Sequence, residues 1–487
     1  MNKIAIKSLK GVSILAFAGF LSKVLAALYR FPYQNLVGDQ GFYAFQQVYP
    51  FYSIITTLSL TALPNFLSSL IHSSDNPEDE TRHFFQLSFI LSILSFIILL
   101  IFHHAIAKLM GQEKLAQPLV MATLPILLVP FLSLYRGRLQ AQLKMTQTAF
   151  SQIIEQVVRV SLIICAALLF THLSTNVYVI SFLAMLGSFI GGVVALGYLM
   201  SSSRLEFKGL FVHFTDLASK AKIVQKFGLS SLVFTFFMVY MLLLQMIDVF
   251  FVKNALMQMP QGMTSNRAEI LKGIYDRGQP FLQLGLVLTT SILTDALPHL
   301  TKLGKIPQKI WHNVVHLSIA LTVGLVILLP DMNDVLFKSH DQSLSLQLFI
   351  LQVPLFSIIQ LHHHDFFLKG KNKLSALILL TGLSLKLLLV YPLTVSFGLI
   401  GTSLSSVLTL IVIYLLYSYD NRKAPKELLN LQFWLAIMMM SIVVLTTNHF
   451  LVVHDRFLQF AKILLLTVIG AITFFKLSKL KFKDLIV

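Results

Sequence analysis

The chain has 487 residues, of which 56% are hydrophobic and only 12% charged. Soluble proteins carry about twice that charged fraction, so a water-soluble globular protein is excluded, and the longest polar stretch, 201–226, is too short to pack a core of its own. The formal net charge of +17 belongs to the positive-inside rule of a polytopic membrane protein, which leaves no reason to invoke nucleic acid.

Lys3, Lys7 and Lys10 precede an apolar stretch in the manner of a signal peptide, but no small-residue cleavage site follows before Lys23 and Arg30. The stretch reads as a retained first helix. A bilayer crossing needs about 20 mostly apolar residues. Fourteen segments meet that length: 11–31, 41–71, 84–107, 117–136, 148–171, 177–200, 228–252, 270–299, 311–330, 345–367, 374–395, 398–418, 429–448 and 458–476. Pro50 and Pro64 interrupt the second, and Pro125 and Pro130 the fourth. Neighbouring helices and water can satisfy the carbonyls such prolines free. The lone cysteine, Cys165, sits in an apolar run and excludes a disulfide framework.

Orientation follows from counting Lys and Arg. With the N-terminus inside, the inner segments hold 25, the outer loops 7 and the spans 6. This predicts both termini in the cytoplasm. The outer group includes Lys253, Lys272, Lys338 and Arg456, and the inner group includes Arg136 and Arg138. One inner loop, Asp75 to Glu80, is acidic, but acids contribute little to topology.

The basic linker 201–227 separates a first lobe, 1–200 with helices 1–6, from a second, 228–420 with helices 7–12. Residues 421–487 add helices 13 and 14 and a cytoplasmic tail. The expected fold class is therefore an all-α polytopic membrane protein of 14 transmembrane helices: two six-helix lobes around a central cavity, plus two C-terminal helices. Gly187 and Gly191 form GxxxG in the sixth span, which suits close helix packing.

Charges inside spans ask for an explanation, because each costs at least about 2.5 kcal/mol at the bilayer centre. Lys23 and Arg30 lie two turns apart on one face of the first span. They either line a cavity or snorkel to the outer interface. Glu155 and Arg159, spaced i, i+4, read as an intrahelical pair, and both are cavity or coupling candidates. Lys386, in the middle of the eleventh span, either faces the cavity of the second lobe or pairs with an acid. The run His362, His363, His364 and Asp365 has no His-x-x-x-His spacing and points in several directions on a helix. It reads as an interfacial cluster, and no metal or other cofactor is expected.

The stretch KGIYDRGQPFLQLGLVLTTSILTDALP, 272–298, is the most unusual. Asp276 and Arg277 sit side by side in an apolar run, with Gly278 and Pro280 following. Pro280 has no N–H, so the Asp276 carbonyl loses its helical partner. Such a break at membrane depth needs protein or a water-filled cavity around it, and Gly278 and Pro280 are hinge candidates. Asp276 pairs with Arg277 itself or with a base from another helix. Among the cavity candidates, the bases Lys23, Arg30, Arg277 and Lys386 outnumber deep acids, which favours an anionic cargo. No P-loop, HExxH or GxSxG occurs in a suitable context, and the Asp75–Glu80 carboxylates lack a second acidic cluster on their side. An enzyme is not expected.

Three stretches carry a family resemblance: LSKVLAALYRFPYQNLVGDQGFYAFQQVYPFY (21–52), RGRLQAQLKMTQTAFSQIIEQVVRV (136–160) and IYDRGQPFLQLGLVLTTSILTDALP (274–298). The chain resembles the polysaccharide-export branch of the MOP flippase superfamily, in its YtgP/SpoVB-like group, which is related to the lipid II flippase MurJ. The motifs span the first eight helices; beyond them the likeness is carried by helix count and order. The resemblance implies a cationic cavity, a lipid-facing groove formed by the last two helices, and alternating access driven by an ion gradient or the membrane potential. It implies a cargo of undecaprenyl-pyrophosphate-linked saccharide, lipid II first, moved from the inner to the outer leaflet of the bacterial cytoplasmic membrane. Arg277 falls at a required arginine of the family, Lys23 at a basic position within Ser22-Lys23-Val24-Leu25, and Arg30 near a second one. All three are the expected substrate-binding residues. The chain departs from MurJ in the second helix, where the expected charged positions map near Gly41 and Ile54, and in the His362–Asp365 run. Expected partners are the lipid-linked anionic saccharide, the bilayer and a coupling ion. A cation-coupled multidrug exporter of the same superfamily and a non-transporting scaffold for envelope synthesis are the alternatives.

Overall fold

The computed structural model describes residues 3–173, 176–203, 217–339, 341–420, 429–453 and 455–478; the linker stretch 204–216, residues 421–428 and the tail 479–487 lie outside the described residues. All regular structure among the described residues is helical. Eleven helical segments among them are long and apolar enough to cross a membrane. Two of these, Phe17–Ser73 and Asn372–Asp420, run to 57 and 49 residues, enough for two crossings each at about 20 residues per crossing. Each is broken at a glycine in the left-handed region, Gly38 at φ 71° and Gly398 at φ 59°, a backbone that a side chain would strain. The expected eighth span is two helices, Ser265–Asp276 and Gly278–Leu303, meeting at Arg277.

The chain divides into two compact units. The first comprises Met1–Tyr29 and Leu36–Asn254, and the second Arg30–Asn35 and Ala255–Val487.

In the first unit, Met145–Leu173 packs along Val177–Ser202. The GxxxG glycines allow this. A Cβ at Gly187 would lie 2.8 Å from the Leu162 Cβ, and one at Gly191 would lie 2.7 Å from the Glu155 carbonyl oxygen. The second span is not a continuous α-helix: Leu58–Ala62 is a π-turn between Arg30–Thr57 and Leu63–Ser73. Pro64 is the sequence cause, because it cannot donate to the Leu60 carbonyl. The acidic loop is neutralised locally. Asp79 pairs with Arg82, Glu78 with Arg138 and Glu80 with Lys226, so this loop, the end of Val129–Ala141 and the start of the helix Leu217–Met238 lie together on one side of the unit.

In the second unit, Gln308–Phe337 packs against Gln352–Leu368, Ser343–Ile350 and the C-terminal pair Leu431–Phe450 and Arg456–Ser478. Phe433 lies between that pair and the preceding spans, stacked on His316 at 4.2 Å and edge-on to Phe474 at 6.2 Å.

Candidate functional site

Each unit gathers some of its span charges into a cluster. In the second unit the cluster is built at the Asp276–Gly278 junction. Thr264 caps Ser265–Asp276 by accepting the Arg267 N–H at 3.4 Å. The helix ends at Asp276, and the Arg277 N–H donates to the Ile274 carbonyl at 3.1 Å in a tighter turn. Pro280 then stands in the first turn of Gly278–Leu303, where an N–H has no intrahelical acceptor. The proline therefore starts a helix rather than kinking one. Gly278 has a packing reason as well: a Cβ there would meet the Phe349 ring at 2.7 Å.

The Asp276 carboxylate accepts from Lys272 at 2.5 Å, one helical turn back, and both side chains are 1% exposed. Lys272 was expected in an outer loop; it is buried because the turn places it beside Asp276, and its ammonium also lies 5.1 Å from the Tyr275 ring centre. Arg277, 2% exposed, donates to the Asn333 Oδ1 at 3.3 Å and lies with its Cζ 5.4 Å from the Phe337 ring centre. Lys272, Asp276 and Arg277 together keep a net positive charge.

Arg30 is fully buried, so it does not snorkel. Its short stretch belongs to this unit. The neighbouring Phe31 packs at 5.2 Å on Phe337, the ring that Arg277 covers, and at 5.8 Å on Phe281. Asn35 donates to the Leu336 carbonyl at 2.5 Å. Arg456 donates to the Asn35 Oδ1 at 3.0 Å and to the Val335 carbonyl at 2.7 Å. The last turn of Gln308–Phe337 thus gathers the Arg30–Asn35 stretch, Arg277 and Arg456 around one phenylalanine. Arg30 and Arg277 are buried there while Arg456 is exposed, and a buried guanidinium interacts strongly with an anion.

Lys386 is also buried in the second unit, and its ammonium donates to the Ser405 and Ser406 hydroxyls at 2.9 and 2.6 Å. The four residues of the His362–Asp365 run are buried, and Asp365 accepts from the half-exposed Lys369 at 2.5 Å. His362 stands edge-on to Trp311 at 5.0 Å, and His363 bonds the Ser375 hydroxyl at 2.8 Å, which bonds the Tyr417 hydroxyl at 2.7 Å. No group of three metal-ligating side chains occurs among the described residues.

In the first unit, the expected Glu155–Arg159 pair is replaced by two separate partnerships. Glu155 accepts from Arg136 at 2.6 Å, with the two side chains 4% and 0% exposed. Arg136, counted as a loop base from the sequence, also donates to the Ser151 hydroxyl at 3.1 Å and to the Ser59 carbonyl at 3.3 Å. Ser59 lies in the π-turn, whose wider register frees that carbonyl. Gln152 reaches the Leu60 carbonyl, which Pro64 left without a donor, at 3.4 Å. Arg159 turns instead into a tyrosine cage. Its Cζ lies 4.8, 5.3 and 5.8 Å from the rings of Tyr52, Tyr29 and Tyr49. It donates to the Tyr52 and Tyr29 hydroxyls at 3.2 and 3.0 Å. Cation–π contact and hydroxyl bonds replace a carboxylate there. Lys253, another expected outer-loop base, is buried and donates to the Gly111 carbonyl at 2.6 Å. Lys23 is exposed, on the helix Lys3–Leu28.

The sequence reading missed Lys272, Arg136, Asn333 and the tyrosine cage. Two signals were present: the i, i+4 spacing of Lys272 and Asp276, and the i, i+3 spacing that puts Tyr49 and Tyr52 on one helix face.

A model of the polysaccharide biosynthesis protein family matches residues 8–304, more than half of the chain. The uncharacterized membrane protein YabM of Bacillus subtilis (strain 168) is 32% identical over 354 residues, covering 70% of this chain and 66% of that protein. The lipid II flippase MurJ of the same organism is 26% identical over 210 residues, covering 39% and 38%. Stage V sporulation protein B, also of that organism, is 29% identical over 198 residues, covering 39% and 38%. The matched stretches thus fall short of two thirds of these relatives' own length. Among solved structures, the lipid II flippase MurJ in an inward closed conformation superposes with a TM-score of 0.70 at 15% identity, over 97% of this chain and 99% of that one. An inward-facing multidrug resistance MATE transporter of the MOP superfamily follows at 0.57 and 14%, over 83% and 96%. The chain belongs to the polysaccharide biosynthesis protein family and has the multi-span helical fold of the MOP superfamily.

Proposed function

We propose that this protein is a flippase that carries an undecaprenyl-pyrophosphate-linked saccharide, lipid II first, from the inner to the outer leaflet of a bacterial cytoplasmic membrane. The observation that carries the reading is the buried basic group around Phe337, on a fold shared with MurJ. Arg277 donates to Asn333 and lies over Phe337, and Lys272 bonds the adjacent Asp276. In our reading Arg277 and Arg30 contact the pyrophosphate of the cargo, and the exposed Lys23 contacts a further anionic group. The Gly278–Pro280 junction lets the helix bend between states of an alternating-access cycle, and a coupling ion or the membrane potential drives it. Both termini face the cytoplasm. The protein acts as a transporter rather than an enzyme.

The test is complementation of a flippase-depleted strain. Arg277→Ala is expected to reach the membrane at the normal level and to support no growth, while lipid-linked precursor accumulates on the inner leaflet. Full complementation by this variant defeats the assigned role. The multidrug exporter reading draws on the MATE-like superposition; efflux of an organic cation dye without any envelope phenotype favours it instead.

A further inference from the structure

An apolar groove of about 300 Å3 lies within the first unit, under the first turns of the helix Leu217–Met238. Ile223 and Phe227 of that helix form its roof, and Phe227 packs edge-on to Phe66 at 4.7 Å. Two departures from regular α-geometry hold the groove open. Leu58 and Leu63 line it from either end of the π-turn, and Ile126 lines it from the 3-10 segment Leu124–Leu128 that follows Pro125.

The lining chemistry is that of a hydrocarbon site. The polar side chains on its floor are serines, and the Ser88 hydroxyl is turned back to the Phe84 and Phe85 carbonyls at 2.9 and 3.0 Å. A ligand needs no polar group to fill it, and a polar one would be left without partners. The length also fits. The floor follows Pro77–Leu109 from Phe84 to Ser95, which at 1.5 Å per residue is about 16 Å, close to half of the ~30 Å hydrocarbon core. One acyl chain of one leaflet matches that span. At the roof, Lys220, Lys222 and Lys226 follow each other within two turns; Lys226 holds Glu80, and Lys222 is exposed. Lysines on an amphipathic helix at a membrane surface attract anionic lipid by about 1 kcal/mol each.

We propose that this groove is a resident-lipid site, taking one acyl chain of an anionic bilayer phospholipid with its headgroup phosphate at Lys222. Occupancy does not depend on the cargo. The experiment places the full chain in nanodiscs with a tracer of phosphatidylglycerol carrying a photoactivatable diazirine on one acyl chain, and maps the labelled peptides. Labelling is expected to concentrate on the peptides containing Ser92 and Phe227. Unlabelled phosphatidylglycerol should compete about tenfold better than phosphatidylcholine, the ratio for about 1.4 kcal/mol. Ser92→Trp fills the floor and should remove the groove labelling. Lys222→Glu, a surface change independent of packing, should keep the labelling and lose the headgroup preference. Labelling spread evenly over the lipid-facing helices, or unchanged by Ser92→Trp in a protein that elutes as wild type, overturns the site. Equal competition by the two lipids overturns the anionic assignment.

Discussion

The two charged clusters begin from similar sequence and end differently. Glu155 and Arg159 sit one turn apart in the first unit, and Asp276 and Arg277 sit side by side in the second. In both cases a base other than the sequence neighbour bonds the acid. Glu155 takes Arg136 from another helix, and Asp276 takes Lys272 from one turn back. The arginine beside each acid meets aromatic rings: Tyr29, Tyr49 and Tyr52 around Arg159, Phe337 under Arg277. The first arginine donates to two tyrosine hydroxyls and to the Gln156 amide oxygen, and the second donates to the Asn333 amide oxygen. In the proposed function the first arginine is a structural lock and the second binds the anionic cargo.

The strongest way to break the comparison is at the lock. Arg136→Ala leaves Glu155 buried without its ion partner and the Ser59 carbonyl without its donor. A loss of about 3–5 kcal/mol is expected, read as unfolding in a denaturing detergent titration. Replacing both ends, Arg136→Met with Glu155→Leu, should recover most of that loss, because no buried charge remains. A double variant no better than the single one would show that the π-turn, rather than the charge balance, sets the stability.

Gly278→Ala tests the junction in the second unit. Its methyl would press on the Phe349 ring at 2.7 Å, and overpacking of this kind costs about 1–3 kcal/mol. Pairing it with Phe349→Leu should restore stability. If the paired variant is stable yet inactive, the glycine serves the bending of the helix and not only its packing. The smallest effect is expected for Lys272→Met, about 1–2 kcal/mol. Arg277 lies next in sequence to Asp276 and can turn to the buried carboxylate that this change leaves without its lysine. That turn withdraws Arg277 from cargo, so transport should fall by more than stability does. Equal losses in the two readouts would make Lys272 a purely structural partner.

Much of this was legible in the chain and some was not, for identifiable reasons. The spans follow from hydropathy alone, and the break at Asp276–Pro280 follows from a proline and a charge pair in an apolar run. The partners of Glu155 and Asp276 did not follow. Counting bases by loop put Arg136 and Lys272 outside the membrane, although helices extend to include both: Val129–Ala141 and Ser265–Asp276. The chain likewise gave no sign of the Trp311 ring and the Ser375–Tyr417 pair that receive the buried His362 and His363. The π-turn could have been suspected from Pro64, yet which side chains would collect its freed carbonyls depended on neighbours 77 and 92 residues away in the chain.

The central claim is that Arg277 handles the anionic head of a lipid-linked saccharide. It is tested most directly with purified protein in liposomes carrying a fluorescent undecaprenyl-pyrophosphate-linked sugar, read by a quencher added outside. Wild-type protein is expected to bring the label within reach of the quencher. Arg277→Ala should leave it at the protein-free level, and Arg277→Lys, which keeps the charge but not the planar fork, should fall between. Translocation by Arg277→Ala at the wild-type rate would contradict the account.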